Sequence, residues 1–188
     1  MKYIRSFESI VTEVNYSSSE LTKLPELPDS LIKLDCKGNI LTELPELPKN
    51  LKYLSCENNK LTYLPKLPDC LVNLYCNRNK LTELPKLPDT LEYLSCKINE
   101  LSVLPELPDK LEFLYCYENN LTELPSLPNT LKILDCSNNN LRELPLLPDS
   151  LIFFSCGGND LPYNDLNGYN IWMEKNHPEI VNSKKFNI

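Results

Sequence analysis

Leucine returns at fixed intervals along this chain, and the residues between are mostly polar, proline or cysteine. From Leu21 the text runs LTKLPELPDSLIKLDCKGNI, and near-copies begin at Leu41, Leu61, Leu81, Leu101, Leu121 and Leu141. A fixed period of this length marks stacked supersecondary units, each burying its apolar face against its neighbours. Within a unit, Leu34 and Cys36 alternate with Lys33 and Asp35. A period of two predicts a short strand with one buried face. Strands are expected near residues 13–16, 32–36, 52–56, 72–76, 92–96, 112–116, 132–136 and 152–156. Stacked copies would pair in parallel, about 4.8 Å apart.

The return path is short, and Pro45 and Pro48 stand three apart within it. Proline removes a backbone donor and disfavours helix at the residue before it. A three-residue rhythm suits polyproline II, which takes three residues per turn. The segment 42–50 and its equivalents are therefore expected to be extended, with Leu44 and Leu47 pointing inward beside Leu31, Leu34, Cys36 and Leu41. Asn39 and its counterparts Asn59, Asn79, Asn99, Asn119, Asn139 and Asn159 follow each strand, where asparagine can satisfy turn backbone groups.

The pattern fades at both ends. Val11, Val14, Tyr16, Ser19 and Leu21 fit the same template with Tyr for Cys and Ser for Asn, a degenerate first strand whose outer edge Met1–Ile10 would cover. After Leu161 the repeat stops, and Tyr163, Leu166, Tyr169, Ile171 and Trp172 can close the last layer, with a short helix around 169–176. The expected organisation is an N-terminal cap over residues 1–20, seven repeats over 21–161 and a C-terminal cap over 162–188. Caps of this kind keep a stacked array soluble.

Composition narrows the function. A net charge of −7 without a Lys/Arg stripe argues against nucleic acid and anionic membrane as partners. No run approaches about 20 consecutive apolar residues, and the first residues lack the apolar stretch of a secretory signal. A cytoplasmic protein is expected, monomeric, with a homodimer as the alternative. Of the 8 cysteines, all but Cys70 recur once per unit (Cys36, Cys56, Cys76, Cys96, Cys116, Cys136 and Cys156), which fits a buried packing column better than a disulfide framework. Cys70 stands at a variable turn position, where it reads first as a replacement for Ser or Thr, and it is expected to be the first thiol to react. The 16 prolines are architecture, since all but Pro162 and Pro178 occupy two positions of the unit.

The pattern LxxLxCxxNxL resembles the leucine-rich repeat consensus, in which Cys often replaces a Leu. The short unit with LPxLP resembles the subclass found in type III secreted effectors of enteric bacteria. The persistent Cys and the TELPELPxxL wording are also similar to leucine-rich repeat proteins of mimivirus-like giant viruses. The resemblance covers roughly residues 11–161. It implies a leucine-rich repeat solenoid, a right-handed β-α-type superhelix or horseshoe. A parallel sheet would line the concave face, polyproline II the convex face, and helix only the caps. It also implies a host factor as partner and the host cytoplasm as location. The effectors that are ubiquitin ligases carry a separate helical catalytic domain, for which no counterpart is expected in these 188 residues.

With the inward positions fixed, the exposed columns of the sheet can be read off. Tyr53, Tyr75, Tyr93, Phe113, Tyr115, Tyr117 and Phe153 fall on the concave face, whereas the convex columns hold Tyr63 alone. Aromatic residues are enriched at binding hot spots. They also suit strands and stack along sheets, so a purely structural role is the competing reading. The binding reading puts Arg78, Glu92, Lys97, Glu112 and Glu118 on the rim. The side chains point away from the core, so truncating them is expected to leave folding almost unchanged. Gly157-Gly158-Asn159-Asp160 is better read as a last turn than as an ion loop, and His177 is the only histidine. No catalytic constellation, metal site or cofactor site is expected. The expected function is a non-enzymatic module binding a protein or peptide ligand on its concave face. The alternatives are a self-associating or particle-packaged protein and the recognition part of a larger ligase system.

Overall fold

The computed structural model describes residues 11–181. Eight strands form one parallel sheet in chain order: β1 (Glu13–Asn15), β2 (Lys33–Asp35), β3 (Tyr53–Ser55), β4 (Asn73–Tyr75), β5 (Tyr93–Ser95), β6 (Phe113–Tyr115), β7 (Ile133–Asp135) and β8 (Phe153–Ser155). A helix, α1 (Leu166–Asn176), follows. Leu34 pairs with Leu54, Leu54 with Leu74, and so on, so the repeat of the sequence is the register of the sheet. Regular strand geometry covers three residues where four or five were expected. The ladder itself runs further: Lys52 N donates to Ile32 O at 2.8 Å and Cys36 N to Ser55 O at 2.8 Å.

The return segments carry neither helix nor strand, as the paired prolines require. Each ends in a tight turn in which Leu51 N donates to Pro48 O at 3.0 Å, repeated as Leu71 to Pro68 and Leu91 to Pro88. The core lies between the sheet and these segments. Leu71, Leu74, Cys76, Leu81, Leu84 and Leu87 of one central unit are all buried. Each interior leucine removed from water contributes about 2 kcal/mol, and the stack repeats that gain in every coil.

Asparagine closes each turn as expected. Asn99 Nδ2 donates to Cys76 O at 3.0 Å and Cys96 O at 2.9 Å, while its Oδ1 accepts from Leu81 N at 3.1 Å. One side chain thus ties two successive coils together. The residue before it is left-handed: Gly38, Asn58, Arg78, Ile98, Glu118, Asn138 and Gly158 all have positive φ, between 52° and 72°.

The ends follow the template with differences. β1 pairs with β2, and Asn39 Oδ1 accepts from Ser19 N at 3.0 Å, which ties the first coil to the second. Val11 stays 45% exposed where Leu31 is fully buried, so that unit is only partly packed. The covering role expected of Met1–Ile10 lies outside the described residues. At the other end α1 begins three residues earlier than expected, because Asp165 caps it by accepting from Gly168 N at 2.8 Å. Tyr163 and Tyr169 close the layer, ring to ring at 5.2 Å, with Leu166 and Trp172 packed beside them. Ile171 does not join them: it is 59% exposed, and Met173, one helical turn beyond Tyr169, fills the place instead. Asp165 also bridges to Ser155 and so covers part of the β8 edge.

Candidate binding surface

The strands alternate, so every second residue leaves the core and faces out of the sheet. On this open face the large and small residues form a checkerboard. β3 offers Tyr53 and Ser55, β4 offers Asn73 and Tyr75, and β5 offers Tyr93 and Ser95. Each tyrosine therefore has a small residue beside it, and rings from neighbouring strands lean together over the gap. Tyr53 and Tyr75 have ring centroids 5.3 Å apart, and Tyr75 and Tyr93 stack at 4.6 Å. Tyr93 then meets both Phe113 at 5.7 Å and Tyr115 at 5.6 Å. Five of the seven aromatic residues singled out from sequence thus form one continuous run.

The other two stand apart. Tyr117 lies under Lys97, whose Nζ is 5.1 Å from the ring centroid. Phe153 is separated from Phe113 by Ile133 in the register of β6, β7 and β8, and is 48% exposed. At the opposite end Lys33 covers Tyr53, its Nζ 5.5 Å from the centroid. Of the expected rim, Glu112 is paired with Lys132 at 2.6 Å. Arg78, Glu92 and Glu118 form no ion pair among the described residues, and all three lie at least partly open to solvent.

Beneath the rings runs a polar chain that sequence reasoning placed in columns but did not join. Glu57 Oε1 accepts from Ser55 Oγ at 3.3 Å and Glu57 Oε2 from Asn77 Nδ2 at 2.6 Å, while Ser95 Oγ donates to Asn77 Oδ1. Ser55, Asn77 and Ser95 are buried although they face out of the sheet, because the rings lean over them. Burial, then the neighbouring ring and the Glu57 carboxylate, raise the hydroxyl pKa values of Tyr75 and Tyr93 above the ordinary tyrosine range. These hydroxyls are therefore neutral donors at any physiological pH. The alternation of Ser and Tyr along one column was the signal that could have shown this arrangement beforehand.

The cysteine column is buried throughout and forms no disulfide among the described residues. Burial pushes the Cys96 thiol up to about 12, and burial followed by the nearby Asp35 charge pushes Cys36 up to about 12. Such thiols are poor nucleophiles. Cys70 stands outside that buried column. It is half-buried, and its Sγ lies 3.1 Å from Lys49 O and 3.4 Å from Leu51 O. Thr90 and Thr130 make the same pair of bonds at the same place in their units, so Cys70 stands in for a turn-closing hydroxyl. Among the described residues no group of three or more His, Cys, Asp or Glu is placed to hold a metal. No described helix is long and apolar enough to cross a membrane.

Stacked coils, a parallel sheet and an asparagine ladder define a repeat solenoid, and the chain belongs to the leucine-rich repeat proteins. Among solved structures it is similar to the leucine-rich repeat domain of a Shigella effector, at 32% identity and a TM-score of 0.73, covering 87% of this chain and 75% of that one. It is similar to YopM of Yersinia pestis, a leucine-rich effector protein, at 41% identity and a TM-score of 0.75, covering 80% of this chain and 44% of that one. YopM of Yersinia enterocolitica WA-314 matches at 39% identity and a TM-score of 0.68, covering 75% of this chain. The chain spans 38% of that protein's length, so it corresponds to only part of the YopM array. No family model and no curated protein matches it.

Proposed function

We propose that this protein is a non-enzymatic binding module that holds a protein or peptide partner on the concave face of its sheet. The observation that carries the reading is the run of Tyr53, Tyr75, Tyr93, Phe113 and Tyr115, half-buried against one another yet facing solvent. Rings fixed in this way lose little entropy when a partner covers them, which is what binding hot spots exploit. A second observation agrees. Arg78, Ile98 and Glu118 occupy left-handed positions in the central units, where the outer units mostly use Gly or Asn. Strain kept at neighbouring turns beside the ring run is the signature of side chains retained for contact rather than stability. Similarity to effector repeats favours a host factor as the partner.

The test is capture of partners by the wild type beside a variant carrying Tyr93→Ala, Phe113→Ala and Tyr115→Ala, both folded at the assay temperature. Each truncation should weaken a specific partner by roughly 1–3 kcal/mol, so the triple variant should lose it. Glu83→Ala and Glu123→Ala, on the opposite surface, should capture it as the wild type does. Retention by the folded triple variant would refute the reading. Self-association is the competing reading, favoured by Ile152 and Phe153, which are 78% and 48% exposed at the last strand. A concentration-dependent dimer in light scattering, lost on Ile152→Ser, would support it.

A further inference from the structure

Glu57 is a carboxylate held firmly in place without a countercharge. Its hydrogen-bond partners, Ser55 and Asn77, are neutral, and so is Ser95 behind them. These bonds orient the group but bring no positive charge, and among the described residues Glu57 forms no ion pair. The lysines of the same column are engaged elsewhere. Lys37, one unit earlier, pairs with Asp35 at 3.7 Å, and Lys97, two units on, lies over Tyr117. A carboxylate has about four lone-pair sites, so two donors leave capacity for another.

The rings around it favour the same kind of ligand. Aromatic faces carry negative potential and attract cations. The protein already seats its own ammonium groups in this way at the two ends of the surface, Lys33 over Tyr53 and Lys97 over Tyr117. Among the described residues, no cation covers Tyr75, Tyr93 or Tyr115 between them. A partner that brought only apolar groups would bury the Glu57 charge uncompensated, which is strongly unfavourable. A guanidinium meets both demands, since it is planar enough to stack on a ring and donates in a fork to a carboxylate.

We propose that Glu57 and the adjoining tyrosine rings form a recognition site for a guanidinium group, so that the partner presents an arginine to this part of the face. The proposal rests on the reading of the open face as the binding surface. The net charge of −7 adds a long-range attraction for such a cationic segment.

The direct probe is N-acetyl-arginine methylamide, titrated into protein carrying isotope-labelled tyrosine and followed through the ring resonances. Its citrulline counterpart, which has the same shape without the charge, is the control. Saturable shifts at Tyr75 and Tyr93 are expected with the arginine compound and not with citrulline. Glu57→Gln should weaken that binding at least tenfold. Equal shifts from both compounds, or no saturation, would overturn the proposal using wild-type protein alone, whatever the variant does to folding. Should a captured partner depend on Tyr93, Phe113 and Tyr115 but not on Glu57→Gln, the arginine site would be refuted and the binding surface would stand. Independence from both sets of residues would remove both.

Discussion

Ile98 is the residue most at odds with its own backbone. A β-branched side chain at a φ of 57° is a steric outlier, and the same place holds Gly38, Asn58, Asn138 and Gly158 elsewhere in the array. Ile98→Asn should therefore stabilise the fold by about 1 kcal/mol, the scale of the left-handed penalty. A urea midpoint that falls on this substitution would contradict the assignment. Asn99, next in the chain, is the opposite case. Asn99→Ala would leave Leu81 N without its partner and take one asparagine donor each from Cys76 O and Cys96 O, which keep Asn79 and Asn119. A buried N–H left without a partner costs about 1–3 kcal/mol, so a loss on that scale is expected in the same measurement. The asparagine role was legible in the sequence because turn chemistry is local. The strain at Ile98 was not, since nothing in an isolated residue announces the dihedral its neighbours impose.

At the scale of elements, the cysteine column and the ring run behave differently. An unfolded thiol titrates near its ordinary value of 9.0, whereas burial holds Cys36 and Cys96 protonated up to about 12. Their contribution to stability is complete below pH 9 and is lost as pH rises from there through about 12. Each group steepens the decline by up to about 1.4 kcal/mol per pH unit. Urea midpoints between pH 8 and 10.5 should fall accordingly, and Cys96→Val should flatten the slope; a flat profile in the wild type would refute the burial argument. The ring run leads to a different expectation for stability than outward orientation alone. Tyr93 touches Tyr75, Phe113 and Tyr115, so Tyr93→Ala should cost about 1–3 kcal/mol of stability as well as binding. Thermal melts of the single variants check this, with Tyr117→Ala the milder case because Tyr117 stacks only under Lys97. Column positions could be read from the repeat, but whether neighbouring rings meet depends on lean and twist, which periodicity does not encode.

Across the whole molecule, the repeat fixed the architecture because every unit solves the same packing problem with the same residues. Strand order, register, extended return segments and the inward leucines follow from that uniformity. The ends escaped it, as Val11, Ile171 and the start of α1 show, because caps are built once and obey no period. What varies between units gathers at the middle: the ring run, the uncompensated Glu57 and the strained turns at Arg78, Ile98 and Glu118 all fall in the units from β3 to β6. One measurement tests this convergence most directly. A photo-crosslinking residue placed at Phe113 should join the captured partner covalently, whereas the same residue at Tyr63 or Glu123, on the opposite surface, should not. Crosslinks from the opposite surface with none from Phe113 would contradict the account.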